Sequence, residues 1–167
     1  MKNAQREHAL HRIELILKQK NEHIPFPILD YLKAEILLQK GNYSGAISWF
    51  QHFIKTQNNQ KFIKDSYYKI AVCQYLMNDV VSSDRSMELG RANGTDYTEA
   101  DRYAKIQLNN QPLPNPVLLK LRYAIDGGYY SAAKVMIEKT KERIFNTDKE
   151  KAENSNIWIL KKNKMLE

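Results

Sequence analysis

Apolar residues recur along this chain at the spacing of helix faces, and one such pattern returns at a fixed interval. An apolar stripe with the spacing i, i+4, i+7 begins at Ala9 and begins again, 37 residues later, at Ala46. A third, weaker stripe begins at Ser83, after a further 37 residues. A period of about 20 to 50 residues is typical of chains that stack similar units of secondary structure. We therefore expect a repeat protein rather than a single irregular core.

Turn residues and prolines separate the amphipathic stretches, and no stretch alternates with the period of two that a strand requires. Pro27 suits the first turn of a helix, and Gly41-Asn42 suits a left-handed helix end. The first helices of two pairs also repeat, since Ala34 and Ala71 are 37 residues apart. We predict one all-α domain, 1–167, with a half-repeat helix at 4–24, helical pairs at 27–57, 61–92 and 114–146, an inserted helix at 97–110 and a terminal helix at 147–167.

The turn between the helices of the first pair has the sequence Gly41-Asn42-Tyr43-Ser44-Gly45-Ala46. It resembles the tetratricopeptide repeat, whose helix pairs are closed by a Gly-x-Tyr-x-x-Ala turn. A second copy lies at 128–133 and a weaker one at 78–83. Glycine or asparagine permits positive φ in such a turn, and the small residue lets the second helix approach closely. The resemblance to divergent, bacterial-type members of this superfamily implies a right-handed solenoid of helical hairpins, with about eight or nine helices.

The two ends of this pattern look like halves of helical pairs. The helix at 4–24 matches a second helix without its first, and the helix at 147–167 would be a first helix without its second. A terminal unit of a solenoid normally needs a polar cap, because its apolar face otherwise meets water. Three interpretations stay open: the end helices serve as caps, the chain is part of a longer array, or self-association covers the faces.

The resemblance also implies a binding surface. In tetratricopeptide proteins the first helices of the pairs line a concave groove that holds a peptide or a helix. By the same correspondence, the groove of this chain is lined by Tyr31, Glu35, Gln39, Tyr68, Val72, Tyr75, Leu118, Arg122 and Asp126. Its tyrosines would supply rigid anchor area, and Arg122 would orient an acidic group. A wet groove with some packed tyrosines is the simpler alternative.

The formal net charge of +7 raises the alternative of a nucleic acid or another polyanion as the partner. Residues 61–110 hold seven basic and seven acidic side chains, whereas the basic excess gathers near the ends, as at Lys161, Lys162 and Lys164. Mixed charges along a helix are typical of a solvated surface. The polyanion alternative therefore depends on the basic C-terminal helices.

Few residues suggest chemistry. His8 and His11 lie one helical turn apart, but no third metal ligand is apparent near them in the sequence. Cys73 is the only cysteine of the chain, and its apolar helical surroundings predict a buried thiol. Gly127-Gly128 lacks both the spacing and the preceding strand of a phosphate-binding loop. We predict no catalytic residue, no cofactor and no metal ion.

No stretch is long and apolar enough to predict a membrane span, and the first 25 residues mix charged with apolar side chains, unlike a signal peptide. A cytoplasmic protein is expected, unless the chain is a fragment of a longer exported one. We expect a non-catalytic protein-interaction module or scaffold that holds a peptide or helix of its partner. The sequence does not identify that partner.

Overall fold

The computed structural model describes residues 2–18, 26–110 and 112–140 of the 167-residue chain. These residues form eight α-helices, and no strand occurs among them. The helices are α1 (Lys2–Lys18), α2 (Pro27–Lys40), α3 (Tyr43–Thr56), α4 (Ile63–Leu76), α5 (Val80–Ala92), α6 (Glu99–Asn109), α7 (Pro116–Asp126) and α8 (Tyr130–Thr140). The all-α prediction is confirmed. The helix predicted at 147–167 and the end of the one predicted at 4–24 lie outside the described residues.

The turns inside the three helical pairs α2–α3, α4–α5 and α7–α8 have the same backbone conformation. Gly41, Asn78 and Gly128 adopt positive φ angles of 87°, 65° and 79°. In each turn the N–H of the following residue donates to the carbonyl five residues earlier, at N···O distances of 2.9, 2.9 and 2.8 Å. This hydrogen bond closes a helix end whose last carbonyls would otherwise lack partners. The repeated sequence is therefore a repeated turn.

The small residues that follow these turns are packing positions, as their recurrence predicts. Ala46, Ser83 and Ala133 are 0%, 1% and 0% exposed. Ala34 and Ala71, in the first helices of two pairs, are both 0% exposed. A small side chain at each position lets the two helices of a pair approach closely, and the Ser83 hydroxyl also donates to the Ala71 carbonyl across α4–α5 at 2.8 Å.

Most of the packing joins helices that follow one another in the chain: α2 with α3, α3 with α4, α4 with α5, and α7 with α8. In addition, α6 packs against α4 and α5, and α7 packs against α2 and α4. One apolar cluster surrounds Phe50 and Phe53, and a second surrounds Met87 and Leu108. Packing between neighbours is what a helical repeat requires. The right-handed solenoid arrangement stays a prediction.

The N-terminal helix α1 packs along α2. Leu10 and Ile13 are buried against Ile36. Ile16, the next residue of the predicted stripe, is 47% exposed. Among the described residues, α2 therefore covers only the first part of the apolar face of α1.

A buried carboxylate ties α6 to the start of α4. Phe62, the residue before α4, has a φ of 62° and gives the helix no side-chain cap. Asp101 of α6 is 0% exposed and supplies the missing acceptor. Its two oxygens accept the backbone N–H groups of Phe62 and Asp65, at 2.8 and 3.1 Å, and the Thr98 hydroxyl at 2.6 Å. The negative charge also lies at the positive end of the α4 dipole.

The loop after α5 lies directly on the backbone of α4. Gly94 has a φ of 78°, and a Cβ placed on it would lie 2.6 Å from the backbone nitrogen of Lys64. Backbone atoms at a helix start do not yield as a flexible side chain would. A side chain is therefore disfavoured at Gly94 both by its φ angle and by the lack of space.

We expect Asp101→Ala to lower the free energy of unfolding by about 3 kcal/mol, because it leaves the buried N–H of Asp65 and the partly buried N–H of Phe62 without an acceptor. Urea denaturation followed by circular dichroism measures this change. Asp84→Ala, at an exposed aspartate of α5, is the matched control and should change stability by less than about 0.5 kcal/mol. Equal effects of the two substitutions would contradict the capping role.

We expect Gly94→Ala to cost about 3 kcal/mol or more, and Gly41→Ala about 1 kcal/mol. Both glycines have positive φ, but a Cβ at Gly41 has only the Tyr43 hydroxyl within reach, at 3.9 Å. The difference in urea midpoints between the two variants isolates the steric contribution at Gly94. Identical midpoints would show that the loop after α5 moves away from α4 without cost.

Candidate partner-binding face

Helices α2 and α4 are the first helices of two predicted pairs. Both of them contact α7. Leu119 of α7 belongs to the same apolar cluster as Tyr68 and Val72, together with residues of α6. Tyr123 of α7 packs against both this cluster and the cluster around Phe50 and Phe53. We call the surface of α2, α4 and α6 that contacts α7 the receiving face. In this structure the chain's own helix fills it.

Three of the residues predicted to line an open groove are buried. Tyr31, Tyr68 and Val72 are 6%, 2% and 0% exposed. The Tyr31 ring packs against Phe53 and Phe62, with ring centroids 5.4 and 4.8 Å away. These side chains therefore belong to the core and are not exposed anchors. The sequence correspondence placed them on the correct helices and made α7 a further wall of the groove, through Leu118, Arg122 and Asp126, whereas α7 packs onto α2 and α4.

The other predicted groove residues are more accessible. Glu35, Gln39, Tyr75, Leu118 and Arg122 are partly buried, and Asp126 is exposed. Arg122 lies 5.4 Å from the centre of the Tyr103 ring of α6 and 3.7 Å from the Asp126 carboxylate. Arg122 thus contacts α6 from α7, and its side chain is 43% exposed.

A cluster of charged groups lies between α2 and α4; we call Tyr31, Glu35, Asp65 and Lys69 the Lys69 cluster. The Lys69 ammonium contacts the Glu35 carboxylate, lies 2.6 Å from an Asp65 oxygen and donates to the Tyr31 hydroxyl at 2.9 Å. The Tyr31 hydroxyl donates in turn to Asp65 at 2.7 Å. Two carboxylates around one ammonium thus join the first helices of two pairs.

Burial and charge act in opposite directions on the pKa of Lys69. Burial disfavours the charged ammonium and is the largest single influence, but the carboxylates of Asp65 and Glu35 together outweigh it and hold the pKa well above its usual range. Burial also raises the pKa values of Tyr31, Tyr68 and Tyr123. Neither Asp65 nor Lys69 is among the residues predicted to line the groove. Their i, i+4 spacing is the only local signal, and it is common on exposed helices.

Among the described residues, the remaining titratable groups do not assemble into a metal site. The Cys73 thiol is buried as predicted, and burial raises its pKa. His8 and His11 are exposed on α1, and the described residues contain no group of three or more His, Cys, Asp or Glu side chains placed to hold a metal ion. His52 Nδ1 lies 2.8 Å from the buried Asp30 carboxylate, whose other oxygen has no hydrogen-bond partner within the described ranges.

Several basic side chains form ion pairs within the chain. Pairs form between Lys33 and Glu14, Lys40 and Glu7, and Lys105 and Asp96, at 3.5, 2.9 and 2.6 Å. Such pairs suit a solvated helical surface, as mixed charges predict. The lysines at 161, 162 and 164, on which the polyanion alternative depends, lie outside the described residues.

Comparison of the chain with protein families, with curated proteins and with solved structures gives no match. Membership of the tetratricopeptide superfamily therefore stays a prediction from the repeated turns and small residues. Over the described ranges, no helix has the length and apolar character needed to cross a membrane.

We expect stability to fall as the pH rises above about 10, where tyrosines of the unfolded chain ionise. The raised pKa values of Tyr31, Tyr68 and Tyr123 keep these groups protonated in the folded state. Their contribution is complete below pH 10 and is lost at higher pH, by up to about 1.4 kcal/mol per pH unit for each tyrosine. Urea denaturation between pH 9 and 11 should show this slope, and Tyr68→Phe should reduce it. A flat profile would contradict the burial of these hydroxyls.

Proposed function

We propose that this protein is a non-catalytic protein-interaction module of the tetratricopeptide type, and that its receiving face binds an amphipathic helix of a partner. The observation that carries this proposal is the position of α7. A helix with an apolar stripe already lies across α2, α4 and α6, with Leu119 and Tyr123 directed into the apolar clusters. Helix-in-groove binding uses the same arrangement of anchors.

The repeated units support the tetratricopeptide assignment. Three helical pairs close with the same turn, and small buried residues follow each turn at Ala46, Ser83 and Ala133. In a right-handed solenoid of such pairs, the first helices would form one continuous concave surface. On this interpretation α6, which packs on α4 and α5, extends that surface beyond α4.

Beside the receiving face, a row of side chains continues along α2 toward its start. Ile28 and Leu32 precede Glu35 and Gln39 in one helical row, at spacings of four, three and four residues. Glu35 belongs to the Lys69 cluster, and Gln39 contacts the α7–α8 turn. Ile28 and Leu32, by contrast, are 37% and 42% exposed. A partner helix longer than α7 would bury this exposed apolar surface, which favours a helical protein segment as the ligand.

Site-specific photo-cross-linking tests the proposal on the full chain. With benzoylphenylalanine in place of Leu32, we expect irradiation of cells that express the protein to give a discrete covalent adduct. The cross-linked peptide should map to an amphipathic helix of the partner. The matched control places the same probe at Val81, which is 82% exposed on α5. Indistinguishable adduct patterns at the two positions, or adducts at neither, would contradict partner binding at the receiving face.

A further inference from the structure

The α7–α8 hairpin packs onto the rest of the protein as a separate unit. It has its own apolar cluster, formed by Leu121, Ala124 and Ala133 with neighbours from the same hairpin. The two main clusters contain none of these three residues, and α7 enters them through Leu119 and Tyr123. Helix α7 buries three of its eleven residues, whereas α4 buries ten of fourteen. The hairpin therefore contributes Leu119 and Tyr123 to the main core and keeps its other apolar residues in a cluster of its own.

Three positions of α7 and its following turn make the docking contact, and they form one helical stripe. Leu119, Tyr123 and Gly127 are spaced by four residues each. Leu119 enters the apolar cluster of α4 and α6, and Tyr123 lies between both clusters. At Gly127 the backbone comes so close to α2 that an added Cβ would lie 2.9 Å from the Cβ of Gln39. The stripe therefore consists of a leucine, an aromatic residue and a small residue.

The docking contact is less complete than the core beneath it. A cavity of about 60 Å³ remains between the α2–α3 turn and the hairpin, beside Tyr43, Lys120 and Ala124. By contrast, Phe50 and Phe53 in the main core are both 0% exposed. Permanent interiors are packed to high density. The hairpin is therefore packed less densely against the α2–α3 turn than the main core is packed internally.

Polar contacts from α1 hold the hairpin in place. Arg6 donates to the Asp126 carbonyl at 2.7 Å and contacts Gln39. Glu7 accepts a hydrogen bond from the Tyr129 hydroxyl at 3.1 Å, and its second oxygen lies 2.9 Å from the Lys40 ammonium. These side chains are partly exposed, so each contact contributes little by itself. Together they close α1 over the α7–α8 turn.

From these observations we infer that α7 is an internal, exchangeable ligand of the receiving face and that α1 is its latch. This inference rests on the proposed function and specifies the partner. The partner contributes an amphipathic helix with the α7 stripe: a leucine, an aromatic residue four positions later and a small residue four positions after that. Binding of this helix displaces α7, and loss of the α1 contacts makes displacement easier.

A fluorescent peptide copy of residues 114–129 is the probe, and its binding to the full chain is measured by anisotropy. Because α7 competes from within the chain, wild type should bind it weakly. The double variant Arg6→Ala, Glu7→Ala should bind it about tenfold more tightly, since a larger fraction of molecules then has an open face. The same peptide with alanine in place of its tyrosine at 123 should not bind. Equal affinities of wild type and the double variant would overturn the latch.

A reversible covalent lock tests whether α7 must leave. In the variant Gln39→Cys, Gly127→Cys the two Cβ atoms would lie 2.9 Å apart, below the roughly 3.5–4.5 Å of a disulfide, and the Cβ at 127 would lie 2.6 Å from the Tyr129 ring, so the α7–α8 turn must shift slightly for the bond to form. Gly127 has a φ of −73° that any residue adopts. Cys73 is buried and does not compete. The oxidised variant should lose peptide binding and regain it on reduction. Equal peptide binding by the oxidised and the reduced variant would overturn the displacement of α7. If thiol titration shows that no disulfide forms, the comparison of wild type with the Arg6→Ala, Glu7→Ala variant decides the question.

Failure of this inference and failure of the proposed function give different results. A cellular adduct at Leu32 that forms equally in the oxidised lock would keep the partner-binding function and overturn the exchange with α7. If the disulfide blocks peptide binding but no cellular adduct forms at Leu32, the displacement of α7 is supported and the partner-binding function is overturned. The first experiment measures the partner, and the second measures the chain's own helix.

Discussion

A continuous path of buried polar contacts joins α6 to α4 and α4 to α2, and the receiving face depends on it. The Asp101 carboxylate of α6 accepts the Asp65 N–H, and the Asp65 carboxylate in turn binds Lys69 and Tyr31. Lys69 also binds Glu35 of α2. Each of these groups would be costly to bury without its partner. The network therefore permits few relative positions of the three helices, whereas apolar contacts alone tolerate small shifts.

The rigid network also explains why tyrosine suits the central position of α7. Tyr123 lies between the two apolar clusters and near the charges of the Lys69 cluster, where burial raises its pKa and keeps it neutral. The aromatic ring of Tyr123 packs against both apolar clusters. Its neutral hydroxyl is a more favourable neighbour for the charged groups than an apolar group would be. A helix that replaces α7 meets the same surroundings, so it needs a similar side chain at that position.

Local patterns predicted the helices well, because the helix period, the prolines and the positive-φ residues act within a few positions of one another. They also predicted the burial of Ala46, Ser83 and Ala133, since a small residue after each turn has a local cause. The contacts of α7 with α2 join segments far apart in sequence, and no local pattern encodes them. The same holds for Asp101: its spacing from Thr98 resembles an ordinary helix start, yet its carboxylate caps α4.

The cost of removing α7 depends on what the receiving face exposes afterwards. Water solvates the Lys69 cluster readily, so the penalty comes mainly from the apolar contacts of Leu119 and Tyr123. A short connection to α6 keeps α7 at an effective concentration on the order of millimolar. On the proposed exchange, a partner helix present at about micromolar concentration would therefore have to bind roughly a thousandfold more tightly than α7 does. Release of the α1 contacts would lower that threshold, so a helix outside the receiving face would control binding.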